Sequence, residues 1–170
     1  MLFRFRKMRA MDPLQVAMTG VRMGERYLQV FCSDAALTRG LATKTGLSGV
    51  AALAAPDDAQ ARQAKKAADK AGVLIDIKVT SASRLPWDSG AFDMVVIDNT
   101  GGAFAGLSES DRTACLGEAR RVVRDGGRIE FIERESDRAG ADALLTAAGF
   151  KPVRTLAERD GFRFVEGLKG

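Results

Sequence analysis

Leu85-Pro86-Trp87-Asp88-Ser89-Gly90-Ala91-Phe92-Asp93-Met94-Val95-Val96-Ile97-Asp98 joins a turn to a strand, and the kind of strand sets the architecture. Pro86, Asp88, Ser89 and Gly90 are turn-forming residues in close succession. The run from Phe92 to Asp98 is almost continuously apolar. A strand with one wet face alternates apolar and polar residues, whereas one covered on both faces does not need to. The stretch therefore predicts a central parallel strand with helices on both sides of its sheet.

Working outward in both directions, the chain alternates strands and helices. Downstream, Ser108 to Arg124 reads as a helix with a capping-box-like start, Ser108 to Asp111. Asp125-Gly126-Gly127 reads as a turn and Arg128 to Glu133 as a strand. Asp137 to Ala148 reads as a helix stopped by Gly149. Lys151 to Leu156 and Phe162 to Leu168 form a hairpin around Arg159-Asp160-Gly161. Upstream, Val73 to Thr80 alternates as a strand with a partly polar face. Pro56 opens a helix closed by Gly72. Gly49 to Leu53 is a short strand, Asp34 to Thr45 a helix stopped by Gly46, and Tyr27 to Phe31 a strand. Asp12-Pro13 starts a short helix running to about Gly20. This order predicts an α/β fold: a doubly wound, seven-stranded, mostly parallel sheet ending in an antiparallel hairpin. Ligands of such sheets bind beyond the carboxyl ends of the strands, here the loops after Val30, Leu53, Thr80 and Ile97.

Composition removes several chemistries. At 170 residues the chain is about one domain. It contains no histidine, so Ser–His, Cys–His and zinc-hydrolase mechanisms are excluded. Cys32 and Cys115 form no metal-binding pattern and are expected as reduced thiols, with no metal site. The net charge of +4 is too small to argue for nucleic acid. Arg4, Arg6, Lys7 and Arg9 alternate with Leu2, Phe3, Phe5 and Met8, a basic arm suited at most to peripheral contact with an anionic membrane. No segment reaches the ~20 apolar residues of a membrane span, and no signal-peptide pattern follows the arm. A cytoplasmic protein is expected, with residues 1–26 as basic arm and helix and residues 27–170 as the ligand-binding domain.

The sequence resembles the class I S-adenosylmethionine (SAM) methyltransferases, in particular the small-molecule branch with the ubiquinone/menaquinone C-methyltransferases. The stretch from Leu85 to Val95 is similar to that family's "LPF-x-x-x-SFD-x-V". Glu118 to Arg128 is similar to its "E-x-x-RVL-x-PGG-x", and Ala147-Ala148-Gly149-Phe150 before the hairpin also fits. The resemblance spans roughly residues 11–169. It implies methyl transfer from SAM to a small-molecule acceptor. The family's cofactor positions are carried over one by one. Its three glycines after the first strand correspond to Phe31, Ser33 and Ala35, and its first-strand acid to Gln29. Its ribose-binding acid corresponds to Leu53, with Asp57 and Asp58 just beyond, either reaching back or serving the next helix. Its adenine-contacting acid corresponds to Ser81, beside Ala82. Trp87 is either an adenine neighbour or a core residue. Asp98 and Asn99 fall where substrate and the methionine end of SAM meet. Asp98 is a candidate base or orienting group, or a strand-end turn residue. Glu133, Arg134 and Glu135 either line the acceptor site or form a solvated charge cluster.

Methyl transfer is an in-line displacement in which the cofactor carries the chemistry and the protein supplies orientation, so the lack of histidine is no obstacle. The substitutions bear on holding SAM. An alternative therefore stands beside the enzyme: a catalytically inactive methyltransferase-fold module that binds a protein partner and has lost SAM. A homodimer, with a second copy completing an open acceptor pocket, is compatible with either. A nicotinamide-dependent oxidoreductase lacks both GxGxxG and the downstream stretches.

Overall fold

The computed structural model describes residues 13–170. In chain order its elements are α1 (Pro13–Met18), β1 (Arg26–Val30), α2 (Ala35–Thr45), β2 (Val50–Ala55), α3 (Asp58–Ala71), β3 (Asp76–Val79), β4 (Phe92–Asn99), α4 (Glu109–Val122), β5 (Val123–Arg134), α5 (Ala141–Ala147), β6 (Val153–Arg159) and β7 (Phe162–Leu168). The strands form one sheet in the order β3-β2-β1-β4-β5-β7-β6. β1 to β5 pair in parallel, and β7 pairs antiparallel with both β5 and β6. The basic arm and the Asp12 helix start lie outside the described residues. Among the described residues no helix is long and apolar enough to cross a membrane.

The apolar run of β4 does what two-sided burial requires. Val95 and Ile97 enter a core with Leu28, Leu116, Ala119 and Phe131. Met94 and Val96 enter the opposite one, with Tyr27, Leu41 and Phe164. Successive side chains of a strand leave on opposite faces, so a strand between two helical layers must be apolar at every position. Helices α2, α3 and α4 start on the acids and hydroxyls expected of N-caps. Asp34 accepts from the Ala36 amide at 2.9 Å, Asp57 from Gln60 at 2.8 Å and Ser108 from Asp111 at 3.1 Å. Asp57 thus serves α3.

Three elements differ from their sequence reading. The strand expected from Val73 begins at Asp76, because Val73 N–H bonds back to Ala68 O at 3.1 Å and closes α3. Asp125-Gly126-Gly127 is not a free turn but part of β5. Gly126 N–H donates to Lys169 O at 2.7 Å and Lys169 N–H donates to Gly127 O at 2.9 Å, so the segment pairs with the residues after β7, while Gly126 keeps a φ of 74° and the register with β4 shifts there. The helix expected from Asp137 begins at Ala141, since Glu133 draws the Ala139 amide into a hydrogen bond of 2.8 Å.

Candidate functional site at the β1–β4 switch point

β1 lies between β2 and β4, and the strand order reverses at it. That reversal opens a crevice above the carboxyl ends of the strands, where ligands of open α/β sheets sit. The tips of β1, β2 and β4 and the loop after β3 bring the sequence-predicted residues to this end of the sheet.

Phe31 follows β1 directly, at a φ of 68°. This left-handed backbone suits glycine and costs another residue ~1–2 kcal/mol. The position matched to the first glycine of the family pattern is left-handed here and carries a large side chain. That side chain is 2% exposed, in one buried cluster with Ala54, Ala82, Ile97 and Phe104. The ring thus belongs to the main core of this sheet face, which also holds Leu28, Val95 and Phe131. Gln29 is fully buried; its Nε2 donates to Phe31 O at 2.8 Å, while its Oε1 has no partner.

Two sets of hydrogen bonds tie the loop after β1 to its neighbours. On the β2 side, Cys32 N–H donates to Oε1 of Gln60, in the first turn of α3, at 2.8 Å. On the β4 side, Ser33 N–H donates to Asp98 Oδ2 at 3.0 Å, and Gly101 N–H donates to Ser33 Oγ at 3.1 Å. The approach at Gly101 is close: a Cβ there would lie 2.6 Å from Ser33 Oγ. Ala35, at the third glycine position, is the first residue of α2.

Asp98 is the hub of the β4 tip. It is fully buried, and its Oδ1 accepts from the Thr100 amide at 3.1 Å and the Thr100 hydroxyl at 2.6 Å. Burial pushes its carboxyl above the usual carboxylate range, against the pull of the Thr100 and Ser33 donors. Both oxygens are thus committed within the protein, which makes Asp98 a positioning residue for the two loops. Asn99 Oδ1 accepts from the Phe104 and Ala105 amides at 3.0 and 3.1 Å; its buried Nδ2 has no partner.

The other predicted residues differ in exposure. Leu53 is fully buried with Cys32, Ala55 and Ala64. Ser81 is exposed and lies 2.7 Å from the Ser83 hydroxyl, while Ala82 is buried. Trp87 packs edge-on against Phe92 at 5.8 Å, donates to Asp76 at 3.1 Å and carries Lys78 over its ring at 4.7 Å. Burial lifts the Cys32 thiol to about 11 and the Cys115 thiol to about 12, which rules out a resting thiolate nucleophile.

Glu133 corrects the expectation of a solvated charge cluster. Its side chain is wholly buried and pairs with Arg163 at 3.1 Å. Its neighbour Arg134 donates to Thr100 O at 2.9 Å and so steadies the loop after β4. Sequence reasoning missed Gln60, and it did not foresee the contacts that Thr100 and Arg134 make. Only Thr100, two residues beyond Asp98, carried a local signal, that of an Asx turn.

The strand order, the crevice and the terminal antiparallel hairpin together define a Rossmann-like methyltransferase fold. A family model described as "Methyltransferase domain" matches residues 28–127, more than half of the chain. The chain belongs to this family, the class I SAM-dependent methyltransferases. The ubiquinone/menaquinone biosynthesis C-methyltransferase UbiE of Cupriavidus necator is 25% identical over 144 residues, covering 85% of this chain and 57% of that protein. The UbiE of Burkholderia vietnamiensis is 27% identical over 125 residues, covering 74% of this chain and 49% of that protein. The chain thus spans about half the length of these curated relatives. Among solved structures, a SAM-dependent methyltransferase from Aquifex aeolicus aligns with a TM-score of 0.78 at 17% identity, covering 92% of this chain and 89% of that one. The [4+2]-cyclase SpnF aligns with a TM-score of 0.71 at 17% identity, covering 92% and 78%.

Family membership implies SAM as the cofactor. This chain fits the cofactor's demand on the backbone, since residue 31 is left-handed and residues 33 and 35 are small. It does not fit the demand for polar grips. Leu53 supplies no ribose acceptor, the Cys32 and Ser33 amides are taken by Gln60 and Asp98, and the Phe31 side chain is buried with residues of the surrounding loops.

Proposed function

We propose that this chain is a SAM-dependent methyltransferase with a weakened hold on its cofactor, acting on a small-molecule acceptor. The observation behind this reading is the set of tips around β1: a left-handed residue 31, small residues at 33 and 35, and buried Asp98 fixing the loop opposite. The small-molecule acceptor is argued from the relatives named as ubiquinone/menaquinone biosynthesis C-methyltransferases. Replacing a ribose-binding carboxylate by Leu53 removes a charged hydrogen bond of ~1.5–3 kcal/mol, about ten- to a hundredfold in affinity. The role of this chain's own residues is orientation: Ser33, Asp98 and Gly101 fix the two loops on either side of the crevice.

Titration of SAM and S-adenosylhomocysteine into the full chain, by calorimetry and by fluorescence of Trp87, tests the reading. Saturable binding weaker than about 100 μM supports it, a free energy of about −5.5 kcal/mol or less in magnitude. Absence of binding at millimolar ligand refutes it. A second reading, a non-catalytic binding or assembly module, is favoured by one observation: the amides nearest the crevice are already bonded to Gln60 and Asp98. The family's fold also serves a protein named a cyclase, SpnF, so the architecture alone does not dictate the reaction.

A further inference from the structure

We infer that Phe31 is a built-in plug, its ring occupying the space that an adenosyl ligand would enter at the β1–β4 switch point. The inference rests on the reading of this crevice as a SAM site and adds what keeps the site closed.

Three observations carry it. The first is the backbone. Phe31 and Asp160 are the non-glycine residues with positive φ among those described, at 68° and 54°. Asp160 lies in a hairpin turn, where aspartate tolerates that conformation. Phe31 has no such excuse: a bulky residue in the left-handed region is an outlier that something must over-determine. The second is what over-determines it. The side chain is 2% exposed and lies in the main core of its sheet face, whose members at the crevice end are Ala54 from the β2 tip, Ala82 from the loop after β3, Ile97 from the β4 tip and Phe104 from the loop after β4. Burial of the aromatic ring offsets the backbone strain. The third is the hydrogen bonding on either side. Gln60 holds Cys32 at 2.8 Å and Asp98 holds Ser33 at 3.0 Å, so the two residues after the ring are fastened to β4 and α3. At the same tips, buried Gln29 Oε1 and Asn99 Nδ2 have no partner, one acceptor and one donor that the protein's own contacts leave unused.

A plug of this kind makes a specific demand on substitution. Phe31→Gly relieves the backbone and vacates the ring's volume at once. The empty volume weakens the fold, and a ligand that fills it restores the fold. The experiment compares the full chain with its Phe31→Gly variant, using S-adenosylhomocysteine as probe in calorimetry and in thermal unfolding. The expected result is at least tenfold tighter binding by the variant. A larger rise of its melting temperature with added probe should accompany it.

If the variant is folded by circular dichroism and binds with the wild-type affinity, the plug is overturned while the SAM reading stands. Wild-type binding already tighter than 10 μM, about −7 kcal/mol, has the same consequence. If neither protein binds at millimolar probe, both the plug and the SAM reading fall. Should Phe31→Gly not fold, Phe31→Ala vacates most of the ring and is judged by the same outcomes.

Discussion

Replacing Arg163 by methionine should be among the most damaging single changes in the hairpin half of the molecule. Arg163 is 6% exposed. Its guanidinium reaches Glu133 at 3.1 Å on β5, Asp142 at 2.6 and 2.7 Å on α5, and Thr155 at 2.9 Å and Glu158 at 3.1 Å on or beside β6. The partners differ in what they lose. The Asp142 and Glu158 side chains are 55% and 41% exposed, so water replaces the cation and each pair contributes ~0–1 kcal/mol. Glu133 is wholly buried and is left with the Ala139 amide. Stranding a buried charge costs ~3–5 kcal/mol, so Glu133 dominates the total. For a chain of this size that is about 6–20 °C in melting temperature. Urea unfolding followed by circular dichroism measures it, with Arg163→Met/Glu133→Gln as the control. The double variant should regain at least half of the loss, because the neutral amide no longer needs a cation. A loss below about 1 kcal/mol in the single variant, or no recovery in the double, would refute the reasoning.

Two further changes probe other groups. Burial and a hydrogen bond with Glu166 raise the Glu130 carboxyl to about 10, so the folded chain holds a proton that the unfolded chain has released above its usual 4.5. That contribution is complete below the unfolded value and is lost as pH rises through the folded one. Melting temperature should therefore fall from pH 6 to pH 9, and Glu130→Gln should flatten the slope; an unchanged slope would dismiss the carboxyl as its source. Gly101→Ala places a Cβ 2.6 Å from Ser33 Oγ and 2.9 Å from its Cβ, which should part the two loops at a cost of ~1–3 kcal/mol. Denaturation of Gly101→Ala with and without Ser33→Gly tests this, since the smaller residue at 33 should return most of the loss.

The architecture was legible because its signals are local. The apolar run of Phe92 to Asp98 needs no knowledge of the rest of the chain to read as a doubly covered strand, and it is one. Asp34, Asp57 and Ser108 announce their helices within four residues. Asp160-Gly161, at φ 54° and 80°, forms the tight hairpin turn its composition foretells. The segments that misled reading are those governed by distant partners. Asp125-Gly126-Gly127 reads as a free turn, but hydrogen bonds to the Lys169 backbone draw it into β5 as an irregular stretch. Glu133 looks solvated until Arg163, thirty residues on, covers it. The crevice divides the same way. Phe31, Ser33, Leu53, Ser81 and Asp98 were found by their place in a family pattern. The Gln60 contact with Cys32 spans 28 residues and has no periodicity to betray it.

β3 and β6 are the outermost strands of the sheet. β3 is four residues long and carries Asp76 and Lys78, while β6 carries Arg154, Glu158 and Arg159. An unsatisfied row of backbone groups invites another chain to anneal onto it, and brevity and charge are the usual deterrents. Both margins of this sheet have at least one of them. Molecules crowded together would therefore meet ionic side chains before they met open ladder, and removing the charges of β6 would strip that margin of its deterrent.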